Sequence, residues 1–213
     1  MTLKSIGNVY CVVRNYSLHT AESGNAVPES PMVFLKPTYS VVDMGEGEIG
    51  LPGDQGEVHY EAELVLRISR TYRPGLPVDE LVDAMTLGID FTLREVQTKM
   101  KLKGYPWLPA KGFLNSAPIG KWRPFPGAEA VATGEFILYR NGEIAQLGRP
   151  SDMIFELQKL IDFIGTRFGL GEGDIIFTGT PSGAAAIADG DLFELFWGEE
   201  PIGKFRSTLR PTL

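Results

Sequence analysis

The chain has 213 residues, 43% of them hydrophobic and 22% charged, with a formal net charge of -7. This is the composition of a globular protein with room for one sizeable core, so a single domain over residues 1–213 is expected. The acidic balance leaves no surplus of Lys and Arg to neutralise phosphates, which argues against nucleic acid or an anionic membrane as partner, and the lone Cys11 excludes an internal disulfide and any Cys-rich metal cluster.

The first segment with a clear pattern is 8–14, read as a strand. Its apolar run is interrupted by Asn8 and Tyr10 and has no cleavage site after it, so it is not read as an export signal, and a cytoplasmic location is expected. Further strands are expected at 31–36, 57–69, 87–91, 135–139, 143–147, 174–178, 191–197 and 202–209. Asn141-Gly142 lies between two of them and suits a tight hairpin turn. A weak helix is expected over 78–86. A firmer one follows Thr92, where Thr92-Leu93-Arg94-Glu95 has the pattern of a capping box. Over 152–168, Met153, Leu157, Leu160, Ile161 and Ile164 fall at helical spacing with Ser151 as N-cap. No stretch nears the roughly 20 apolar residues of a membrane helix. With 25 Gly and 15 Pro as punctuation, the expected class is α+β, dominated by short strands.

The sharpest chemical pattern is His59-Tyr60-Glu61-Ala62-Glu63-Leu64. Alternate residues of a strand share a face, so Glu61 and Glu63 project together with His59 beside them, while Tyr60, Ala62, Leu64 and Leu66 suit a core. Paired carboxylates repel, and a hard dication such as Mg²⁺, Mn²⁺ or Ca²⁺ relieves this better than zinc. A solvent-facing acidic edge explains the same pattern. Asp90 adds a third acid where an apolar strand meets a helix, and Arg94 and Gln97 share one face of that helix. Spacing alone does not separate a site here from a cap with solvated neighbours.

His19 and Glu22 would meet on one face of a short helix, where Glu22 would raise the basicity of the imidazole; a surface ion pair has the same spacing. With two histidines in the chain, a catalytic one would be His19 or His59. Lys36 follows an apolar strand and Lys111 lies between turn-forming residues, and either can hold a carboxylate or face solvent. Thr178-Gly179-Thr180-Pro181-Ser182-Gly183 offers N–H groups and a hydroxyl to an anion, but lacks the ending of a phosphate loop.

These pieces, in this order from about Ile6 to Leu209, resemble the fumarylacetoacetate hydrolase family. They are Arg14-Asn15-Tyr16 with His19 and Glu22, Phe34-Leu35-Lys36-Pro37, the Glu61/Glu63 strand, Asp90 with Arg94 and Gln97, Ala110-Lys111-Gly112-Phe113, and Gly173-Asp174-Ile175-Ile176 leading into Thr180. The length is similar to the short acylpyruvase and oxaloacetate-acting branch. The resemblance implies a mixed β-sandwich or roll, a homodimer, and Mg²⁺ or Mn²⁺ held by Glu61, Glu63 and Asp90. It implies a His19–Glu22 dyad over bound ligand, and Arg94, Gln97, Lys111 and Thr180 near a small anionic 2-oxo acid, with Lys36 close by. Leu114 departs from the Asp frequent there, in a loop expected to border the substrate pocket.

The leading expectation is hydrolysis of a 3-acylpyruvate such as fumarylpyruvate, with His19 activating water and the metal stabilising an enolate. The alternatives are an oxaloacetate decarboxylase or tautomerase, a 2-hydroxyhepta-2,4-diene-1,7-dioate isomerase or decarboxylase, and, from another class, a silent ligand-binding β-domain.

Overall fold

A computed structural model describes residues 6–16 and 28–211. Strands dominate and the helices are few and short, as expected. The largest sheet has eight strands, with the order Met32–Lys36, Val9–Val13, Ile175–Phe177, Ala62–Ile68, Val82–Ile89, Ala117–Ile119 and Val41–Asp43; Arg123–Pro124 also pairs with Val82–Ile89. It is a mixed sheet, parallel where Val9 faces Ile175 and where Val41 faces Ala117. Its central strands, Ala62–Ile68 and Val82–Ile89, are buried on both faces, which explains their near-continuous apolar sequence.

A second sheet of five strands runs Glu143–Gly148, Phe136–Arg140, Leu192–Trp197, Glu200–Arg210 and Glu48–Pro52. Phe193 and Phe205 from this sheet stack at 5.3 Å, and Phe91 meets both edge-on at 6.3 and 6.2 Å. Offset and edge contacts of this kind add to plain area burial, and here they join the two sheets just beneath Asp90. The Asn141-Gly142 hairpin forms as expected, with φ of 55° and 83°.

Four expectations need correction. The run 57–69 is not one strand: Val58–Tyr60 pairs with Thr92–Leu93 and Ala185–Ala186 in a small third sheet, and Ala62–Ile68 belongs to the largest. Glu61 sits at the break, where its carbonyl accepts the Asp90 N–H at 2.8 Å. The helix expected over 78–86 stops at Leu81, because the apolar residues after it are drawn into the largest sheet as a strand. The capping box does not form, since Thr92 is itself in a strand; Glu95 instead accepts the Glu57 N–H at 2.6 Å. The last helix spans Leu157–Arg167 with Glu156 rather than Ser151 at its N-cap, while Pro150–Asp152 form a separate 3₁₀ turn. Its buried face, Leu157, Leu160, Ile161 and Ile164, is the expected one.

Candidate functional site

Ala62–Ile68 and Val82–Ile89 are antiparallel, with Ala62 opposite Ile89 and Glu63 opposite Gly88. The start of one strand therefore lies beside the end of the other. This register carries Glu61, Glu63 and Asp90 to the same corner of the sheet, where a carboxylate oxygen from each lies within 4.8 Å of the others. All three residues are buried.

Two lysines are buried with them. Lys111, 3% exposed in its side chain, donates to Glu61 Oε2 and Asp90 Oδ2, both at 2.7 Å. It comes from the one-turn helix Leu108–Lys111. Lys36, at the end of the strand Met32–Lys36, has its Nζ 2.7 Å from Asp90 Oδ1. Lys36 also donates to the Lys111 carbonyl and to Ser116 Oγ, and Ser116 Oγ in turn donates to that same carbonyl at 2.8 Å. Arg94, in the first turn of the helix Arg94–Lys103, reaches Glu61 Oε1 at 3.0 Å and Gln97 Oε1 at 2.8 Å.

Glu63 differs from the other two acids. Its carboxylate accepts a hydrogen bond from the Gly179 N–H at 2.7 Å. Gly179 has φ of 102°, and a Cβ there would lie 2.8 Å from Asn15 Cβ, so only glycine turns the N–H this way without displacing Asn15. Burial, and then the charges of Asp90 and Glu61, push the Glu63 carboxyl well above the ordinary carboxylate range. Burial alone would lower the Lys111 value; the Asp90 and Glu61 carboxylates outweigh it and hold this ammonium above the usual lysine range.

The corner opens into a cleft of about 260 Å³, whose walls include Arg94, Gln97, Thr180, Arg14, Lys101 and Trp107. Thr180 is fixed by donating to the Ala62 carbonyl at 2.8 Å and accepting from Gln146 Nε2 at 2.9 Å. Gln146 also accepts the Ala62 N–H at 2.8 Å, so one side chain clamps the start of the strand, between Glu61 and Glu63.

Of the residues singled out in the sequence, the fold thus gathers Glu61, Glu63, Asp90, Arg94, Gln97, Lys36, Lys111 and Thr180 into one place. His19 and Glu22 lie outside the described residues. His59 is not beside the carboxylates; it faces away and meets Glu57 Oε2 at 3.0 Å. Leu114 is 66% exposed and does not line the cleft. Sequence reasoning missed Gln146 and Lys101, and named Arg14 only within a family motif, with no role. Lys101 was findable, because 94, 97 and 101 are i, i+3 and i+7 on one helix face. Gln146 carries no such signal.

Comparison with known proteins gives a consistent result. Residues 8–210 match the family described as fumarylacetoacetate (FAA) hydrolase C-terminal. The chain is 38% identical over 191 residues to the oxaloacetate tautomerase YcgM of Escherichia coli, covering 87% of this chain and 86% of that protein. It is 34% identical to a mitochondrial oxaloacetate decarboxylase of Dictyostelium discoideum, covering 87% and 86%. Among solved structures, it resembles fumarylpyruvate hydrolase from Pseudomonas aeruginosa in complex with Mn²⁺ and pyruvate, with a TM-score of 0.84, 31% identity and coverage of 96% and 91%.

Proposed function

The chain belongs to the fumarylacetoacetate hydrolase family of enzymes, and from that premise we propose that it acts on oxaloacetate, interconverting its keto and enol forms with the help of one divalent cation. The observation that carries this reading is the buried corner of Glu61, Glu63 and Asp90, converging within 4.8 Å beside a cleft rich in cations. The relatives named for oxaloacetate favour it over the 3-acylpyruvate hydrolysis that led the sequence reading. The fumarylpyruvate hydrolase likeness supports hydrolysis as a second reading.

The donor set fits a hard dication. It is all oxygen, and Glu63, whose carboxyl is held up by burial and like charge, is where further positive charge would be most stabilising. Mg²⁺ is the proposed ion, with Mn²⁺ and Ca²⁺ as alternatives of the same chemistry. When bound, it would supply Lewis acidity to offset negative charge developing on an oxo oxygen.

The chain's own groups divide the remaining work. Lys111, kept protonated by its two carboxylates in the metal-free protein, places a positive charge beside the cleft. Arg94, braced by Gln97, is placed to hold a substrate carboxylate. Thr180 is held in one orientation by Ala62 and Gln146. Tautomerisation moves one proton, from carbon 3 of the keto form to the oxygen on carbon 2, and back; the resemblance implies a His19–Glu22 dyad over bound ligand, and we assign it this transfer in place of the water activation expected for hydrolysis. The exposed apolar residues Leu35, Tyr39 and Leu108 support the homodimer that the resemblance implies.

Enol absorbance of oxaloacetate, followed with Mg²⁺ and again with excess chelator, tests the reading, with release of pyruvate from acetylpyruvate as the rival assay. Equilibration at least about tenfold faster than in buffer, lost in chelator, is expected. Cleavage of acetylpyruvate with no effect on the oxaloacetate enol would overturn it in favour of hydrolysis.

A further inference from the structure

Three cations near the carboxylate corner are already committed: Lys36 to Asp90, Lys111 to Asp90 and Glu61, and Arg94 to Glu61. Two more line the same cleft, Arg14 and Lys101. Among the described residues, neither forms a salt bridge with an acid. Around Lys101, burial first and then the charges of Arg14, Arg94 and Lys111 lower its value, and Glu61 offsets this only in part. A protein with a net charge of -7 thus gathers, at the wall of a 260 Å³ cleft, two cations that no described acid pairs in a salt bridge. Such an arrangement is unfavourable in the empty protein and is relieved by an anionic group bound between them.

The Arg14 backbone and the Lys101 side chain are both held in place. Arg14 follows the strand Val9–Val13 and adopts φ of 57°, a left-handed conformation that a residue with a Cβ rarely takes. The next residue holds it there. Asn15 is fully buried, donates to the carbonyls of Phe155 and Thr178 at 3.2 and 2.9 Å, and accepts the Phe155 N–H at 2.8 Å. Lys101 lies with its Nζ 5.3 Å from the centre of the Trp107 ring, so its ammonium sits over an aromatic wall. A backbone held in a costly conformation at a cleft wall is a pointer to function.

We propose that Arg14 and Lys101 form an outer anion subsite that receives the second carboxylate of a dicarboxylic 2-oxo acid and so selects dicarboxylates over their monocarboxylic analogues. This rests on the oxo-acid reading above and adds to it the residues that would read the substrate's far end. The inner corner takes the end common to all 2-oxo acids. The outer pair is specific for an extra negative charge a few bonds away. A 3-acylpyruvate with an apolar acyl group would leave both cations unpaired and desolvated, which disfavours it.

Stable 2-hydroxy acids separate this subsite from the chemistry. Malate and 2-hydroxybutyrate share the same carboxylate-and-oxygen end and differ in the distal carboxylate. Their affinities for the Mn²⁺-loaded protein would be measured by calorimetry, in the wild type and in Arg14→Asn and Lys101→Met. Asn tolerates the left-handed backbone, and Met keeps an unbranched side chain beside Trp107. Wild type should bind malate at least about tenfold tighter than 2-hydroxybutyrate, and each variant should cut that ratio about three- to tenfold. Lys101 is exposed on its helix, so its variant reports even if Arg14→Asn folds poorly. No malate preference in the wild type, or a preference that survives both substitutions, would overturn the subsite. A preference that collapses as expected, in a protein without effect on the oxaloacetate enol, would keep the subsite and overturn the tautomerase reading.

Discussion

Lys111→Met isolates what the buried corner costs without its central cation. Met retains the apolar stem against the Phe34 ring, which lies 5.4 Å from Nζ, and removes the charge that bridges Glu61 and Asp90 at 2.7 Å. Stripping one partner from a buried ion pair costs about 3–5 kcal/mol. The lower end applies, because Asp90 keeps Lys36 and Glu61 keeps the partly exposed Arg94. A loss of about 3 kcal/mol in a chain of this size lowers Tm by roughly 6–12 °C in excess chelator. Saturating Mn²⁺ should narrow the gap between variant and wild type to less than about half, because a dication then offsets the carboxylates that Lys111 no longer serves. Calorimetric scans of both proteins, with chelator and with Mn²⁺, read all four values. A drop in chelator below about 1 kcal/mol, or a gap that Mn²⁺ leaves unchanged, would refute the reasoning.

Glu63→Gln should behave in the opposite way: its amide oxygen can still accept the Gly179 N–H, and a buried like charge is gone. In chelator its stability should stay within about 1 kcal/mol of wild type, while Mn²⁺ affinity falls at least about 100-fold; Mn²⁺ titration giving unchanged affinity would remove Glu63 from the donor set. Cys11 gives the pH test. Burial first, and then the charge of Asp90, raise its thiol well above the ordinary range, so the fold favours the neutral form. The stability it contributes is complete below the unfolded thiol value and declines as pH rises above it towards the folded value. Between about pH 8.5 and 10, wild type should lose stability with rising pH that Cys11→Ala does not lose. Parallel Tm profiles for the two proteins over that range would contradict it.

The alternation of Glu61 and Glu63 was legible because side chains of period two need nothing beyond their neighbours. So was the core face of Leu157, Leu160, Ile161 and Ile164, which helical spacing alone defines. What failed was decided from a distance. The break at Glu61 has no glycine or proline to mark it; it exists because Asp90, far along the chain, donates to the Glu61 carbonyl. Thr92 has the residue type of a cap, yet pairing with His59 holds it in a strand. The joining of Lys36, Lys111 and the acids came from family resemblance, since no spacing connects residues on four separate segments. Gln146 had no local signal: its role depends on contact with Ala62, 84 positions away.

Glu63 stands on, and Glu61 and Asp90 at the ends of, two strands buried almost throughout, whereas Arg14 and Lys101 belong to a strand end and an exposed helix face. Local opening events begin where burial is least, so the outer wall can fluctuate, or change over evolution, while the floor keeps its shape. Amide exchange would then be slowest around Leu64 and Leu87 and faster along 99–105. A protein built this way can acquire a new preference at its margin while leaving intact the reactive apparatus that makes any preference useful.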